Sequence, residues 1–527
     1  MSRDFQGSGR SPVIATDGMA ATSHPLASLA AVDTLRSGGN AVDAAVSAAA
    51  VLCVVEPHMT GIGGDCFAMV SRPGQSVWGY NGSGRAGARA SAAELIGQGM
   101  RSIPGNSIHA VTVPGAVDAW AAILSAHGRR SLAEALQPAI HYARHGFPVA
   151  ARIAWDWRHA VPHLSGDPGA SRHYLFDGCA PSEGDVIKLP ALAHTLEMIA
   201  AEGPRAFYQG SVAQDMVASV AAQGSFLTLK DFAEHRGEVV TPITTNYRGV
   251  DVFELPPNSQ GLTALVLINI LESFDLRALD PLGAERMHLA LEAARLAYAV
   301  RDTHVAEPGA MRASVPALID KAFAHDLARH IDRARRTRLP RSPAPGGDTV
   351  YLTVVDRDRM AVSFINTLFS TFGVGICTER TGILLTNRGA CFVLDPAHPN
   401  SFGPRKRPLH TIIPALAFRG GRCELSFGVM GSHFQPMGHV HVLTNILDYD
   451  MDVQAAIDAP RAFFVGEESV LERGFPAETV IGLSERGHHV VAAPVPWGGG
   501  QAIRIDWERG TLIGGSDPRK DGCALGY

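Results

Sequence analysis

A threonine hydroxyl becomes a useful nucleophile when a neighbouring base takes its proton, and the α-amine of a chain that begins with that threonine is such a base. Thr349 stands where this chemistry is possible. It follows an arginine- and proline-rich segment, 333–345, and the tripeptide Gly346-Gly347-Asp348. It precedes VYLTVV (350–355), a β-branched and aromatic run that predicts a strand. DRDR (356–359) reads as a polar turn and 360–364 as the return strand. With the turn centred on Asp358, antiparallel pairing sets Thr367 across from Thr349 on one face, with Cβ atoms about 4.5–5.5 Å apart. The preceding segment has the composition of a solvated, mobile linker, which a self-cleavage site needs. Taken alone, these residues favour the plainer reading, a threonine pair on an ordinary hairpin.

Other residues offer chemistry with less specificity. Arg85 lies just beyond a strand predicted over 77–80, where it can hold a substrate carboxylate or stand in solvent as a surface cation. Gly431-Ser432-His433 turns into a helix over 437–447, whose first N–H groups point at whatever lies ahead of them. TGIGGD (60–65) lacks the lysine of a P-loop and the spacing of a dinucleotide fingerprint, so a tight turn for close backbone packing is expected. His439 and His441 fall on different faces of their helix. They and the His488-His489 pair lack a third ligand at metal-site spacing, so no metal is expected.

The elements that position these residues follow from pattern. Helices are predicted over 26–36 and 41–54, the second capped by Asn40 with Asp43 three residues on. Others are expected over 132–146, 262–273, 285–301 and 315–332, with strands over 66–70, 109–113, 382–385, 412–418 and 423–429. The region 150–280 reads as helices and short loops. The N-terminal part is thus helix-rich and the C-terminal part strand-rich, each needing the other to close its core.

The chain has 527 residues, 46% of them hydrophobic, and a formal charge of −5. It is long enough for a large core. It has no basic footprint for nucleic acid and no apolar run of membrane-spanning length. The polar first ten residues lack a signal-peptide core. Seven cysteines with no CxxC pair fit reduced thiols, so a cytoplasmic location is expected.

Read together, the motifs resemble the γ-glutamyltransferase family of N-terminal-nucleophile hydrolases over nearly the whole length. They are HPLAS (24–28), GGNAVDAA (38–45), VVEP (54–57), TGIGGD (60–65), VPGAV (113–117), MHLALEAARLAYAVRD (287–302), the DTVYLTVVD hairpin, STFGVGI (370–376), GILLTN (382–387), GPRKRPLHTIIP (403–414), DAPR (458–461) and GSDPRKDG near the end. The resemblance implies an α+β fold, a four-layer αββα sandwich. It also implies self-cleavage between Asp348 and Thr349 into chains 1–348 and 349–527 that stay folded together. Thr349 aligns with the family nucleophile and Thr367 with its supporting threonine. Gly431 and Ser432 fall where two glycine N–H groups form the oxyanion hole. No metal or organic cofactor is implied.

The departures bear on the substrate. Glutamyl-specific members hold the substrate α-carboxylate with an early arginine and the α-amino end with an asparagine and an aspartate. Here those positions hold Ser83, with Arg85 two residues on, Phe369 and Cys391. An expected glutamine is Arg388, and two expected serines are His410 and Thr411. A buried ammonium without an acidic partner is costly, whereas Arg85, Arg388 and His410 could surround an anionic acyl group. The expected substrate is therefore a small acid amide without an α-amino group, oxamate first and a glutaryl amide as a variant. A glutathione hydrolase or γ-glutamyltransferase is the alternative, and a non-catalytic binding relative is a further one. The expected partners are a small-molecule amide and the two cleaved chains themselves, with a homo-oligomer compatible with the sequence.

Overall fold

A computed structural model describes residues 9–337 and 348–527. The rest of the expected linker, including Arg338, Arg341, Gly346 and Gly347, lies outside the described residues, as does the side chain of Asp348.

Two seven-stranded antiparallel sheets form the centre. One runs, from edge to edge, Val13–Ala15, Thr511–Ser516, Gly499–Asp506, Arg422–Met430, Ala415–Arg419, Val250–Glu254 and Ile243–Tyr247. The other runs Cys523–Gly526, Met19–Thr22, Asp348–Val355, Ala361–Phe369, Asp65–Ser71, Trp78–Gly82 and Glu238–Val240. Each sheet takes strands from both sides of position 349. The sheets pack face to face, with Asp348–Val355 lying against Arg422–Met430.

Helices cover both outer faces, completing the expected αββα order. Ala41–Val55 packs on the hairpin Asp348–Val355 and Ala361–Phe369 and is buried along its whole length. Its Ala- and Val-rich composition lets helix and sheet approach closely, and Asn40 and Asp43 close the expected capping box. Gly261–Leu271 and Gln435–Leu447 cover the other sheet, with Ala284–His304 packed beside them.

The differences from the sequence reading are local. In place of the strand expected over 109–113, residues Ile108–Ala110 form a 3-10 turn and 111–113 carry no regular element. The helix expected over 315–332 is two short ones, Val315–Leu318 and Lys321–Ala328, the second capped by Asp320. Residues 382–385 make a single bridge, Cys377 to Leu384, in place of a strand. The region read as helical up to 280 contains three strands between Glu238 and Glu254. Their alternating buried and exposed residues span too few positions to outweigh the helical pattern around them.

Candidate active site

The hairpin pairs in the expected register from Val350 to Val355 and departs from it at Thr349. Val350 faces Asn366 and Thr353 faces Ser363, and a register shift follows, so that Asp348 faces Phe369. The threonines at the open end are buried, with their hydroxyl oxygens 3.0 Å apart. The Phe369 N–H donates to Thr367 Oγ1 at 2.8 Å, which fixes one lone pair of that hydroxyl. Phe369 takes a left-handed backbone at φ 80°, folding the chain back over Thr367.

The TGIGGD turn braces this end from behind. A Cβ on Gly64 would stand 2.0 Å from the Thr367 carbonyl oxygen, and one on Gly63 would stand 2.0 Å from that of Leu384. Gly64 O accepts from the N–H groups of Gly115 and Ala116. Asn366 Nδ2 donates to Thr60 Oγ1 at 2.8 Å. The glycine cluster thus serves close backbone packing.

Side chains of Thr349, Tyr351 and Thr353 share one face of their strand, towards the opposite sheet. Thr353 Oγ1 donates to Ser426 Oγ at 2.6 Å, and the Tyr351 ring lies against Gly428, where a Cβ would approach within 2.4 Å. Continuing that progression sets Met430, the last residue of the strand Arg422–Met430, level with Thr349 and the turn Gly431-Ser432 just beyond it. Both turn residues have positive φ, 125° and 53°.

Among the basic residues expected around the acyl group, Arg388 differs from the other two. It is fully buried, with its guanidinium 4.0 Å above the centre of the Phe369 ring. Its Nη1 donates to Thr411 Oγ1 at 2.8 Å and to Cys391 Sγ at 3.7 Å. Nε and Nη2 have no hydrogen-bond partner, and Arg388 makes no ion pair among the described residues. Burial pulls its pKa down, against the pull of Cys391 and Asp65 upward.

His410 and Arg85 are otherwise engaged. His410 Nε2 donates to buried Asp65 Oδ2 at 3.0 Å, and its Nδ1 accepts from the Ile412 N–H at 3.3 Å, which defines a neutral tautomer. Burial, helped by Arg388, pushes its pKa down to about 4, so it brings no positive charge at neutral pH. Arg85 pairs with Glu307 and donates to the Arg405 carbonyl. The expected cluster of three cations thus reduces to Arg388. Ser83, at the early arginine position, is buried and donates to Asn81 Oδ1 at 2.7 Å.

Phe369 and Cys391 line a cavity of about 560 Å³, together with Leu409 and His433. A second cleft, of about 520 Å³, carries Arg152, Trp155 and Lys520. The two share Gly105 and Ser370. Asn387 bridges that rim, accepting from Ser370 N–H at 3.1 Å and donating to Gly105 O at 2.8 Å.

The roles of three residues at the site, Gln260, Arg301 and Asp65, escaped the sequence reading. Gln260 Nε2 donates to both Thr411 O and Ser432 O, at 2.7 and 2.9 Å. Arg301 Nη1 donates to Gln260 Oε1 at 2.8 Å and contacts His433 Nδ1 at 3.0 Å. Asp65 holds His410. The one available signal was the polar run Asn258-Ser259-Gln260 ahead of an apolar helix, which reads equally as a helix start.

The gamma-glutamyltranspeptidase family model matches residues 27–527. The chain is 40% identical to the glutathione hydrolase-like YwrD proenzyme of Bacillus subtilis, with 98% of this chain and 99% of that protein covered. It is 36% identical to the oxamate amidohydrolase proenzyme of Klebsiella pneumoniae, with the same coverage. The crystal structure of cephalosporin acylase from Bacillus halodurans superposes with a TM-score of 0.93 at 37% identity, over 100% of this chain and 99% of that one. By its match along almost the whole sequence and by its fold, the chain belongs to the gamma-glutamyltranspeptidase family of N-terminal-nucleophile hydrolases.

Proposed function

We propose that the protein is a self-cleaving threonine amidohydrolase for small acyl groups that end in a carboxylate, with oxamate as first substrate. The observation that carries this reading is Arg388, a buried guanidinium with two nitrogens unpartnered and no carboxylate paired to it among the described residues. A substrate carboxylate would satisfy it with charge-assisted hydrogen bonds. Thr411 orients the guanidinium, and Phe369 and Cys391 supply no acidic partner for an α-ammonium group.

In the precursor, Thr349 Oγ1 attacks the Asp348 carbonyl carbon, the C–N bond breaks, and an ester remains. Water hydrolyses it, leaving a carboxylate on Asp348 and an amine on Thr349. Chains 1–348 and 349–527 stay together because each sheet draws strands from both. The freed amine, with an ordinary pKa of about 7.7–8.0, takes the Thr349 hydroxyl proton directly or through a water. Oγ1 attacks the substrate carbonyl, the oxyanion is met by the N–H groups of Gly431 and Ser432, and the proton passes to the leaving nitrogen. Water then releases the acid. For oxamate the products are oxalate and ammonia. Thr367 holds the Thr349 hydroxyl in place.

A second reading, hydrolysis of γ-glutamyl amides, is favoured by the similarity to the glutathione hydrolase-like relative. The two separate when self-cleaved protein is given oxamate, an N-glutaryl anilide, glutathione and γ-glutamyl-p-nitroanilide. Turnover of the first or second with little of the others is expected. Rapid turnover of the γ-glutamyl compounds alone would overturn the carboxylate-anchored reading.

A further inference from the structure

Ser432 carries two costs at one position. A residue with a Cβ is strained in the left-handed region, and Ser432 sits there at φ 53°. Its side chain is 2% exposed, and Oγ has no hydrogen-bond partner among the described residues. A buried hydroxyl without a partner forfeits its bonds to water. Glycine would remove both costs.

The turn is held so that neither cost can relax. Gln260 Nε2 ties Ser432 O to Thr411 O, and Arg301 holds Gln260 Oε1. On the next residue, the Tyr298 hydroxyl donates to His433 O. Gly431 packs closely on Gly498, where a Cβ would stand 2.9 Å from Gly498 Cα. The strand progression that sets this turn just beyond Thr349 therefore holds the buried hydroxyl at the same end of the hairpin.

We infer that Ser432 Oγ–H is a third oxyanion donor, a catalytic residue in its own right, which hydrogen-bonds the tetrahedral oxygen beside the backbone N–H groups of Gly431 and Ser432. The inference rests on the oxyanion role proposed for this turn. The hydroxyl keeps its proton throughout and forms no covalent bond. Its missing partner in the resting site is the oxygen that becomes negative during reaction, so the bond is stronger in the transition state than in the ground state. Gln260 is a positioning residue that acts through the turn.

The test uses Ser432→Ala and Ser432→Gly in the self-cleaved protein, on whichever of the four amides above the wild type turns over fastest. Both variants should lose kcat by about 10²-fold, with KM changed by less than about threefold. Ser432→Gly should also unfold at a temperature no lower than wild type, because it relieves the strained backbone. Loss of activity without loss of stability is a combination that a merely structural serine would not produce. Wild-type kcat in either variant, or a change confined to KM, would overturn the inference. A different preferred substrate would alter the carboxylate reading and leave this ratio measurable. Unchanged kcat alongside an inactive Thr349→Ala would reject the hydroxyl's role and leave the nucleophile intact.

Discussion

At the scale of single residues, the proposed chemistry separates into a nucleophile, its support and an anchor. Thr349→Ala should leave one chain of 55.8 kDa by intact mass and abolish turnover, because Thr367, the other hydroxyl at the end of the hairpin, lies within the strand and gains no α-amine of its own to act as base. Thr349→Ser should still self-cleave. Thr367→Val keeps the shape but removes the hydroxyl 3.0 Å from Thr349. It should cut kcat on the order of 10²-fold, as read by initial rates on the preferred amide. Arg388→Met should spare self-cleavage and weaken only carboxylate-bearing substrates. A hydrogen bond to a charged group is worth about 1.5–3 kcal/mol, so kcat/KM should fall at least about tenfold. Equal kcat/KM in Arg388→Met and wild type would remove Arg388 from the acyl site.

At the scale of elements, the site depends on two turns that press backbone on backbone. The first, at residues 60–65, lies against the Thr367 carbonyl with no room for a side chain on Gly63 or Gly64. Gly64→Ala should therefore lower the unfolding temperature, by an overpacking cost of about 1–3 kcal/mol. It should also slow self-cleavage by displacing Thr367, followed as the fraction of uncut chain over time. Gly74→Ala is the control, since Gly74 has open space around its Cβ position although its φ is positive. It should destabilise without slowing cleavage. The second is the turn at 431–432, whose geometry is set by Gln260 from a helix start on the far side of the site. The TGIGGD turn was legible in the sequence as a packing device because its spacing excluded the phosphate motifs. Gln260 was not, because a buried amide bridging two carbonyls leaves no local pattern.

At the scale of the whole molecule, several histidines are buried in the neutral form. Burial pushes His24, His410 and His488 down to about 4, and His439 down to about 3. In the unfolded chain each takes a proton near 6.5. As pH falls from about 6.5 towards 4, the unfolded state thus binds more protons than the folded state, and stability drops. Their contribution is fully present above about 6.5. Denaturant midpoints should fall steadily between pH 7 and pH 5. A midpoint unchanged over that interval would mean that these histidines can charge without opening the fold. The two sheets also bear on assembly. Because each sheet combines strands from both sides of position 349, the proposed cleavage products should co-purify at neutral pH and separate only in denaturant.

The sequence by itself determined the hairpin, its register from Val350 to Val355 and the meeting of the Thr349 and Thr367 hydroxyls, because strand pairing about a short turn is local and its period is fixed; the register shift at Thr349 came from the fold. It also determined the buried helix 41–55 and its cap, and through its ordered motifs the family and the four-layer fold. Tertiary structure decided which cation is available at the proposed acyl site. Arg85, Arg388 and His410 look alike as basic residues in a sequence. Glu307 and Asp65, distant in the chain, engage two of them and leave the third buried with open valences. The same holds for Ser432, whose backbone strain and unpartnered hydroxyl arise only where a strand from one sheet ends beside a strand of the other. Charge pairing and desolvation depend on neighbours that sequence distance does not encode, so the family's chemistry was legible in the sequence and the proposed selectivity rests on the folded molecule.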